Sequence, residues 1–282
     1  MNKKLFLFDL DGSLALASDT SKMHDNNLKM LDKLRANGHI VSICTGRAEN
    51  GVQTFLEAMK VKGPFISYTG SLIKDEDGKT IYEHTLPYSE FKEEADKIFA
   101  KNGIEGHTIF FLKDQEIYFD TEKENIKKIG FWDDEFINKH SVDSISADTD
   151  VHKLIFIPHL EHKDKTIDIM KKRPEDDFVS VFWPIKVDER YAFEFESAEI
   201  SKWKGAQKLM KHYNIDVEDA FMLGDSRNDI SIMKGLKHTF APSNAEDSVK
   251  EIVKHNLKSS NEDGAVTEML EIIEKEGIQI WK

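Results

Sequence analysis

The sequence predicts an α/β protein, a parallel β-sheet with helices on its faces, interrupted by an inserted α+β region. Two observations predict the sheet. Short, predominantly apolar runs such as Leu5–Phe8 and Ile40–Cys44 alternate with stretches of helical periodicity. Each of these two runs stops at turn-forming or polar residues, Asp9-Leu10-Asp11-Gly12 after the first and Thr45-Gly46-Arg47 after the second. A third observation predicts the insertion: the alternation lapses from about Ser71 and resumes at Ser201.

Between the first two strands, Leu28, Leu31 and Leu34 recur at helical spacing over about Asp25 to Ala36, and Asn37-Gly38 closes that helix. A helix over Val52 to Met59 then leads to a third strand, Phe65–Tyr68. Asp75-Glu76-Asp77-Gly78 reads as a hairpin-type turn. Beyond it come a helix from Ser89 to Lys101 and strands at Thr108–Leu112, Ile117–Asp120, Lys153–Ile157, Phe178–Trp183 and Tyr191–Phe195, with a helical Lys163–Lys172 among them. The parallel pattern returns with helix Ser201–Tyr213, strand Ala220–Leu223, helix Asp229–Lys234 and strand His238–Ala241, followed by helices at Ala245–Lys254 and Ala265–Lys275. The expected organisation is a doubly wound, Rossmann-like core formed by 1–85 and 191–282, with 86–190 as a second domain set into it.

At 282 residues, with 39% hydrophobic and 32% charged residues, the chain has an ordinary globular composition and room for two domains. Its 52 acidic against 39 basic residues give a formal charge of −13, which repels a phosphate backbone and argues against nucleic acid or an anionic membrane surface as partner. Phosphate recognition in such a chain has to be local. The lone Cys44 cannot form an intramolecular disulfide and reads as a small buried apolar residue. The apolar run after Lys3-Lys4 is cut by Asp9, too short for the centre of a signal peptide, and no stretch reaches the ~18 apolar residues of a membrane span. A cytoplasmic location is expected, and no protein partner is implied.

Four elements carry chemistry. Asp9-Leu10-Asp11-Gly12-Ser13 sets two carboxylates at a strand end, followed by a turn glycine and a hydroxyl able to bind an oxyanion. Thr45 ends the next strand, Lys204-Gly205 opens a helix, and Gly224-Asp225-Ser226-Arg227-Asn228-Asp229 ends another strand in acids. Ligands of parallel sheets bind beyond the carboxyl ends of the strands. Carboxylates meeting there suit magnesium, which binds through one or two carboxylates together with phosphate and water.

In the order and spacing of these motifs the chain resembles the haloacid dehalogenase superfamily of phosphatases. The likeness is to the type with an α/β cap between the second and third motifs, and within it to the Cof-like sugar phosphatases. The resemblance covers about 1–85 and 191–282 and makes 86–190 the cap that sets substrate specificity. It implies Asp9 as a nucleophile forming an aspartyl-phosphate and Asp11 as general acid and base. It implies Mg2+ on the Asp9 side chain, the Asp11 backbone carbonyl and Asp225, with Asp229 supporting that site. Phosphate would be held by Thr45, Lys204 and Asn228. Lys202 competes with Lys204, which is preferred because the family's lysine directly precedes a glycine. Thr69-Gly70 stands where the family often has Asn-Gly. The implied substrate is a small phosphorylated metabolite.

A phosphohexomutase of the same superfamily would use the same aspartates. A phosphometabolite-binding protein without catalysis, or a signalling receiver domain, fits the intact acids and the long insertion less well. Arg47 reads as either a phosphate contact or a structural ion pair, with the structural role favoured. His107, Trp183, Lys186 and Arg190 are candidates to line a sugar pocket, and Asp133-Asp134-Glu135 reads as a solvated acidic run.

Overall fold

The computed structural model describes residues 2–16, 21–113, 115–120, 140–173, 178–184 and 191–282. Asp133–Glu135, Lys186 and Arg190 lie outside them. The chain divides into two compact units, one running to Glu83 and resuming at Ile200, the other spanning His84–Glu199.

The strands in chain order are β1 (Leu5–Phe8), β2 (Ile40–Cys44), β3 (Phe65–Ser67), β4 (Leu72–Lys74), β5 (Thr80–Glu83), β6 (Leu86–Pro87), β7 (Gly106–Leu112) and β8 (Ile117–Phe119). They continue as β9 (His140–Ser141), β10 (Asp150–Pro158), β11 (Phe178–Pro184), β12 (Tyr191–Ser197), β13 (Ala220–Leu223), β14 (His238–Ala241) and β15 (His255–Asn256). The helices are α1 (Asp25–Ala36), α2 (Glu49–Ala58), α3 (Tyr88–Ile98), α4 (Lys163–Lys172), α5 (Lys202–Tyr213), α6 (Ile230–Gly235), α7 (Asp247–Lys250) and α8 (Ala265–Lys275).

The first unit is an eight-stranded sheet in the order β15-β14-β13-β1-β2-β3-β4-β5, parallel from β15 to β3 and antiparallel at β4 and β5. Its central strands are continuous apolar runs because both faces are covered. Phe6 and Phe8 of β1 point into a core with Leu31 and Leu34 of α1, Phe55 of α2 and Met269 of α8. Leu5 and Leu7 point the other way, to Leu209 and Met210 of α5 and Ile232 of α6. β1 lies between β2 and β13, with Phe8 in register with both Ile43 and Leu223, so the residues that follow these three strands emerge side by side.

The second unit is an antiparallel-rich sheet in the order β11-β12-β10-β7-β8-β9, with β6 pairing to β10. One face packs Phe110, Leu154, Phe193 and Phe195 against Phe91 and Ile98 of α3 and Met170 of α4. Arg173, just after α4, donates to buried Glu94 of α3 through Nε and an NH2 group at 3.2 and 2.6 Å. The sheet also carries a buried ion pair, Lys153 Nζ to Glu194 Oε1 at 2.7 Å.

Two expectations change here. Tyr191–Phe195 was expected to lie in the resumed core, from 191 onward, but β12 pairs with β10 and β11 in the second unit. Its residues explain this, since Phe193 and Phe195 pack into the second core while Glu194 is held by the Lys153 ammonium of β10, the neighbouring strand. The helix expected over Ala245–Lys254 is confined to Asp247–Lys250, because the chain must extend again to place β15 beside β14. Among the described residues no helix is long and apolar enough to cross a membrane.

His152 of β10 is buried, and burial pushes its pKa down to about 4 although a hydrogen bond to the His84 backbone works the other way. A histidine kept neutral by the fold stabilises it fully above the unfolded pKa near 6.5, and that contribution is lost as pH falls toward 4, because the unfolded chain takes up the proton. Urea titrations at pH 7 and pH 4 should show the wild type losing about 2–3 kcal/mol more than His152→Leu over this interval.

Candidate active site

Asp9, Thr45 and Asp225 follow β1, β2 and β13 at one edge of the sheet. The Asp9 N–H donates to Leu223 O at 2.9 Å, extending the ladder one residue past β1 and turning a buried carboxylate into the space beyond the strands. Gly12, at φ 83°, makes the turn that follows. A Cβ there would stand 2.3 Å from Asp225 Oδ2, so both the backbone angle and the close approach of Asp225 require glycine.

The centre of the site is Lys202. Its Nζ is 2.6 Å from Asp9 Oδ1 and 2.7 Å from Asp229 Oδ1, and the side chains of Lys202 and Asp229 are wholly buried. The lysine at the carboxylates is therefore Lys202, whereas Lys204 is exposed. Ser201 caps α5 by accepting the Lys204 N–H at 3.2 Å, which makes Lys202 the first helical residue. Lys202 then falls in phase with Gly205, Ala206, Leu209 and Met210 on the buried face, two residues out of step with Lys204. That periodicity is the signal that singles out Lys202. Choosing by adjacency to Gly205 missed it. Gly205 serves packing instead, since a Cβ on it would meet Ile66 Cγ2 at 3.0 Å and Gly70 Cα at 3.2 Å.

Asp229 Oδ2 accepts the backbone N–H groups of Asp225 and Ser226 at 3.0 and 3.1 Å. With Oδ1 on Lys202, both of its oxygens are engaged in fixing the loop that carries Asp225. Ser13, expected as an oxyanion donor, is buried and donates to Asp225 Oδ1 at 2.8 Å. Asn244 Nδ2 donates to Gly12 O at 2.7 Å and braces the turn from the other side. Asn228 Oδ1 accepts from the Ser226 hydroxyl at 2.9 Å, while its Nδ2 and Thr69 Oγ1 would lie 3.6 and 3.4 Å from a Cβ on Gly46. Thr69 reaches this position through a left-handed backbone, φ 54°. Thr45 is buried, and its Oγ1 accepts the Arg47 N–H at 3.2 Å, which leaves the hydroxyl proton to be donated elsewhere. Asp11 is half-exposed, its carboxylate held by Arg47.

Oxygens of Asp9, Asp225 and Asp229 lie within 4.8 Å of one another around one lysine. Burial raises the proton affinity of Asp9; Lys202 opposes this, and Asp229, Asp225 and Asp11 add to the rise. Burial and then Asp229 push Asp225 up to about 7 against the lowering hydrogen bond from Ser13. Lys202 loses proton affinity through burial but gains more from Asp229 and Asp9, so it stays an ammonium. The cluster is short of positive charge, and a divalent cation between Asp9 and Asp225 is the group these donors fit. Cys44 is buried, its thiol pushed far up by burial, and supplies no nucleophile here.

Residues 6–270 match the family model of haloacid dehalogenase-like hydrolases. The chain belongs to that family. Its relatives include the 5-amino-6-(5-phospho-D-ribitylamino)uracil phosphatase YitU of Bacillus subtilis, 22% identical over 92% of this chain and 94% of the relative. Phosphatase YwpJ of the same organism is 22% identical over 96% of this chain and 100% of its own. Among solved structures, a haloacid dehalogenase-like hydrolase from B. subtilis superposes with a TM-score of 0.76 at 20% identity, covering 95% of this chain and 99% of that one. The subclass IIB sugar phosphatase BT4131 gives 0.72 at 19% identity, covering 98% and 100%. The protein is thus a haloacid dehalogenase-superfamily enzyme of the phosphatase type.

Two outcomes test this geometry. Lys202→Met leaves Asp9 and Asp229 without their shared cation and should cost on the order of 3 kcal/mol in denaturant unfolding and abolish turnover, while Lys204→Ala stays within about 0.5 kcal/mol of wild type. The reverse order would return the role to Lys204. An acid whose pKa is raised in the fold weakens the fold as pH climbs from about 4 through 7. In metal-free buffer at pH 8, Asp225→Asn should therefore be more stable than wild type, on the order of 2 kcal/mol. Added divalent cation should raise the melting temperature of the wild type and not of the variant.

Proposed function

We propose that the protein is a magnesium-dependent phosphatase that hydrolyses a small polyhydroxylated phosphomonoester, such as a sugar or polyol phosphate, through an aspartyl-phosphate on Asp9. The observation that carries this is the buried Lys202 ammonium, which holds Asp9 by one oxygen beside Asp225 at the sheet edge. The substrate class follows the relatives, one named for a phosphoribityl compound and one structural neighbour a sugar phosphatase.

The Asp9 side chain, the Asp11 backbone carbonyl and Asp225 would hold the magnesium ion. Bound there, it supplies charge that offsets repulsion between nucleophile and phosphate. Lys202 fixes the Asp9 carboxylate in direction and supplies a second positive charge beside the reacting oxygen. Asp9 attacks phosphorus, and the intermediate divides one displacement into two easier ones. Thr45 and the Asn228 amide orient the phosphoryl oxygens, in keeping with a reaction governed by positioning and electrostatics. Asp11 protonates the leaving oxygen and then takes a proton from the attacking water. Asp229 touches no substrate and keeps Lys202 and the Asp225 loop in place. The inserted unit is assigned the recognition of the leaving group, and the enzyme a cytoplasmic location.

Phosphate release from a panel of sugar, polyol, nucleotide and cofactor phosphates, with and without magnesium, tests the proposal. Asp9→Asn should lose at least about 10³-fold in rate while keeping its fold. Asp11→Asn should lose most on alkyl phosphates and least on p-nitrophenyl phosphate, whose leaving group needs little protonation. Turnover retained in Asp9→Asn would refute the mechanism.

A further inference from the structure

The loop between β14 and α7, residues 242–246, bonds to both segments that carry the donors assigned to the cation. The Glu246 N–H donates to Asp225 O at 2.8 Å, and Asn244 Nδ2 donates to Gly12 O at 2.7 Å. Asn244 Oδ1 accepts the Asn261 N–H at 3.1 Å, so one amide donates to the turn after β1 and accepts from the segment before α8. The Ser243 N–H ties the same two segments by donating to Ser259 O at 3.0 Å. Asn261 is buried; its Nδ2 donates to Ala15 O at 2.6 Å, and its carbonyl accepts from Asn27 Nδ2 of α1 at 3.2 Å. Asn27 in turn accepts the Val266 N–H of α8 at 3.2 Å, which anchors the chain of amides in the core.

The turn after β1 has to be held from outside. Gly12, at φ 83°, has no side chain to limit its backbone, and it follows directly on the Asp11 carbonyl assigned to the cation. Asn244 holds the turn at Gly12 O, Asp225 at the Ser13 hydroxyl and Asn261 at Ala15 O. Asp9, Asp225 and Asp229 stand around one ammonium, and like charges push the loops that carry them apart. A cation entering such a centre has to gather those loops; the more of the arrangement is built beforehand, the less of its binding free energy goes into ordering them. Position 244 asks for an amide. Alanine has neither group, and aspartate has the acceptor for Asn261 without the donor for Gly12.

We propose that Asn244 is a positioning residue for the divalent cation: through 242–246 it sets the turn after β1 against the loop after β13, so that the Asp11 carbonyl and the Asp225 carboxylate are presented together before the cation binds. This role rests on the cation site assigned to Asp9, Asp11 and Asp225 in the proposed function. Asn244 acts through Gly12 and not on the substrate. Removing its amide leaves Glu246 bonded to Asp225 O but frees the Gly12 end, and the cation then has to order the turn as it binds. With the cation in place the arrangement is restored, and the chemical steps run as in the wild type.

The test reads melting temperature against magnesium concentration for the metal-free, full-length wild type, Asn244→Ala and Asn256→Ala. Asn256 is a matched control outside this network, an exposed asparagine whose Nδ2 donates to Lys250 O at 3.0 Å. The magnesium dissociation constant should rise about tenfold or more in Asn244→Ala and keep the wild-type value in Asn256→Ala. Phosphate release by Asn244→Ala should need correspondingly more magnesium, with kcat at saturation within about threefold of wild type. Hydrogen exchange over residues 10–15 should be faster in metal-free Asn244→Ala than in metal-free wild type and return to the wild-type rate with magnesium. An unchanged dissociation constant, exchange over 10–15 equal to wild type, or a kcat that saturating magnesium does not restore would each overturn the role of Asn244. Wild-type melting and phosphate release that are both indifferent to magnesium would instead remove the cation site, and this role with it.

Discussion

The Lys202 ammonium, enclosed between the Asp9 and Asp229 carboxylates, is the contact on which the rest of the site depends. Burying an ammonium or a carboxylate alone is costly, and burying them together is tolerable only with close geometry and further hydrogen bonds. Those bonds are present. Asp229 spends its second oxygen on the amides of Asp225 and Ser226, and Asp225 accepts from Ser13. One charge balance therefore fixes the nucleophile, the loop after β13 and the turn after β1. It also leaves the group deficient in positive charge, which is the condition for taking up a cation and an anionic substrate together.

The glycines around this centre make sense as clearances. Gly224 faces Asp229, where a Cβ would come within 2.6 Å of the carboxyl carbon, and Gly70 faces the Ser201 carbonyl, where one would come within 2.4 Å. Each lets a backbone close in beside the charged cluster, where the Lys202 and Asp229 side chains are wholly buried. Exclusion of solvent strengthens every electrostatic interaction that remains.

Much of the sheet was legible because buried parallel strands are written as largely apolar runs; β1, β2 and β13 have the bounds that their residues predict. Asp9 and Asp225 stood out for the same reason, as charges placed directly after such runs. Lys202 was harder to see, because its identity depends on where α5 begins and hence on the Ser201 cap rather than on residue type. For Arg47 an ion pair with an acid was expected, but its partner Asp11 was not legible, since the pair joins two loops from different strands. The boundary at 191 fell short of β12 because that strand's membership is set by its partners β10 and β11, which nothing in its own residues names.

β1 is the strand that carries the nucleophile, yet its neighbour β13 lies beyond the whole second unit in sequence. A chain made from its amino end therefore has β1 paired with β2 long before β13 exists. Until then Leu5–Phe8 presents an open hydrogen-bonding edge with apolar side chains on both faces, the kind of surface on which stray strands add. The same delay keeps Asp225 and Asp229 away from Asp9, so the nascent chain carries an unassembled centre until the whole second unit has been made. Tolerance of long insertions in loop closure makes this arrangement thermodynamically inexpensive. Its burden falls on the ribosome-bound intermediate, which has to shelter one sticky strand while the second unit is built.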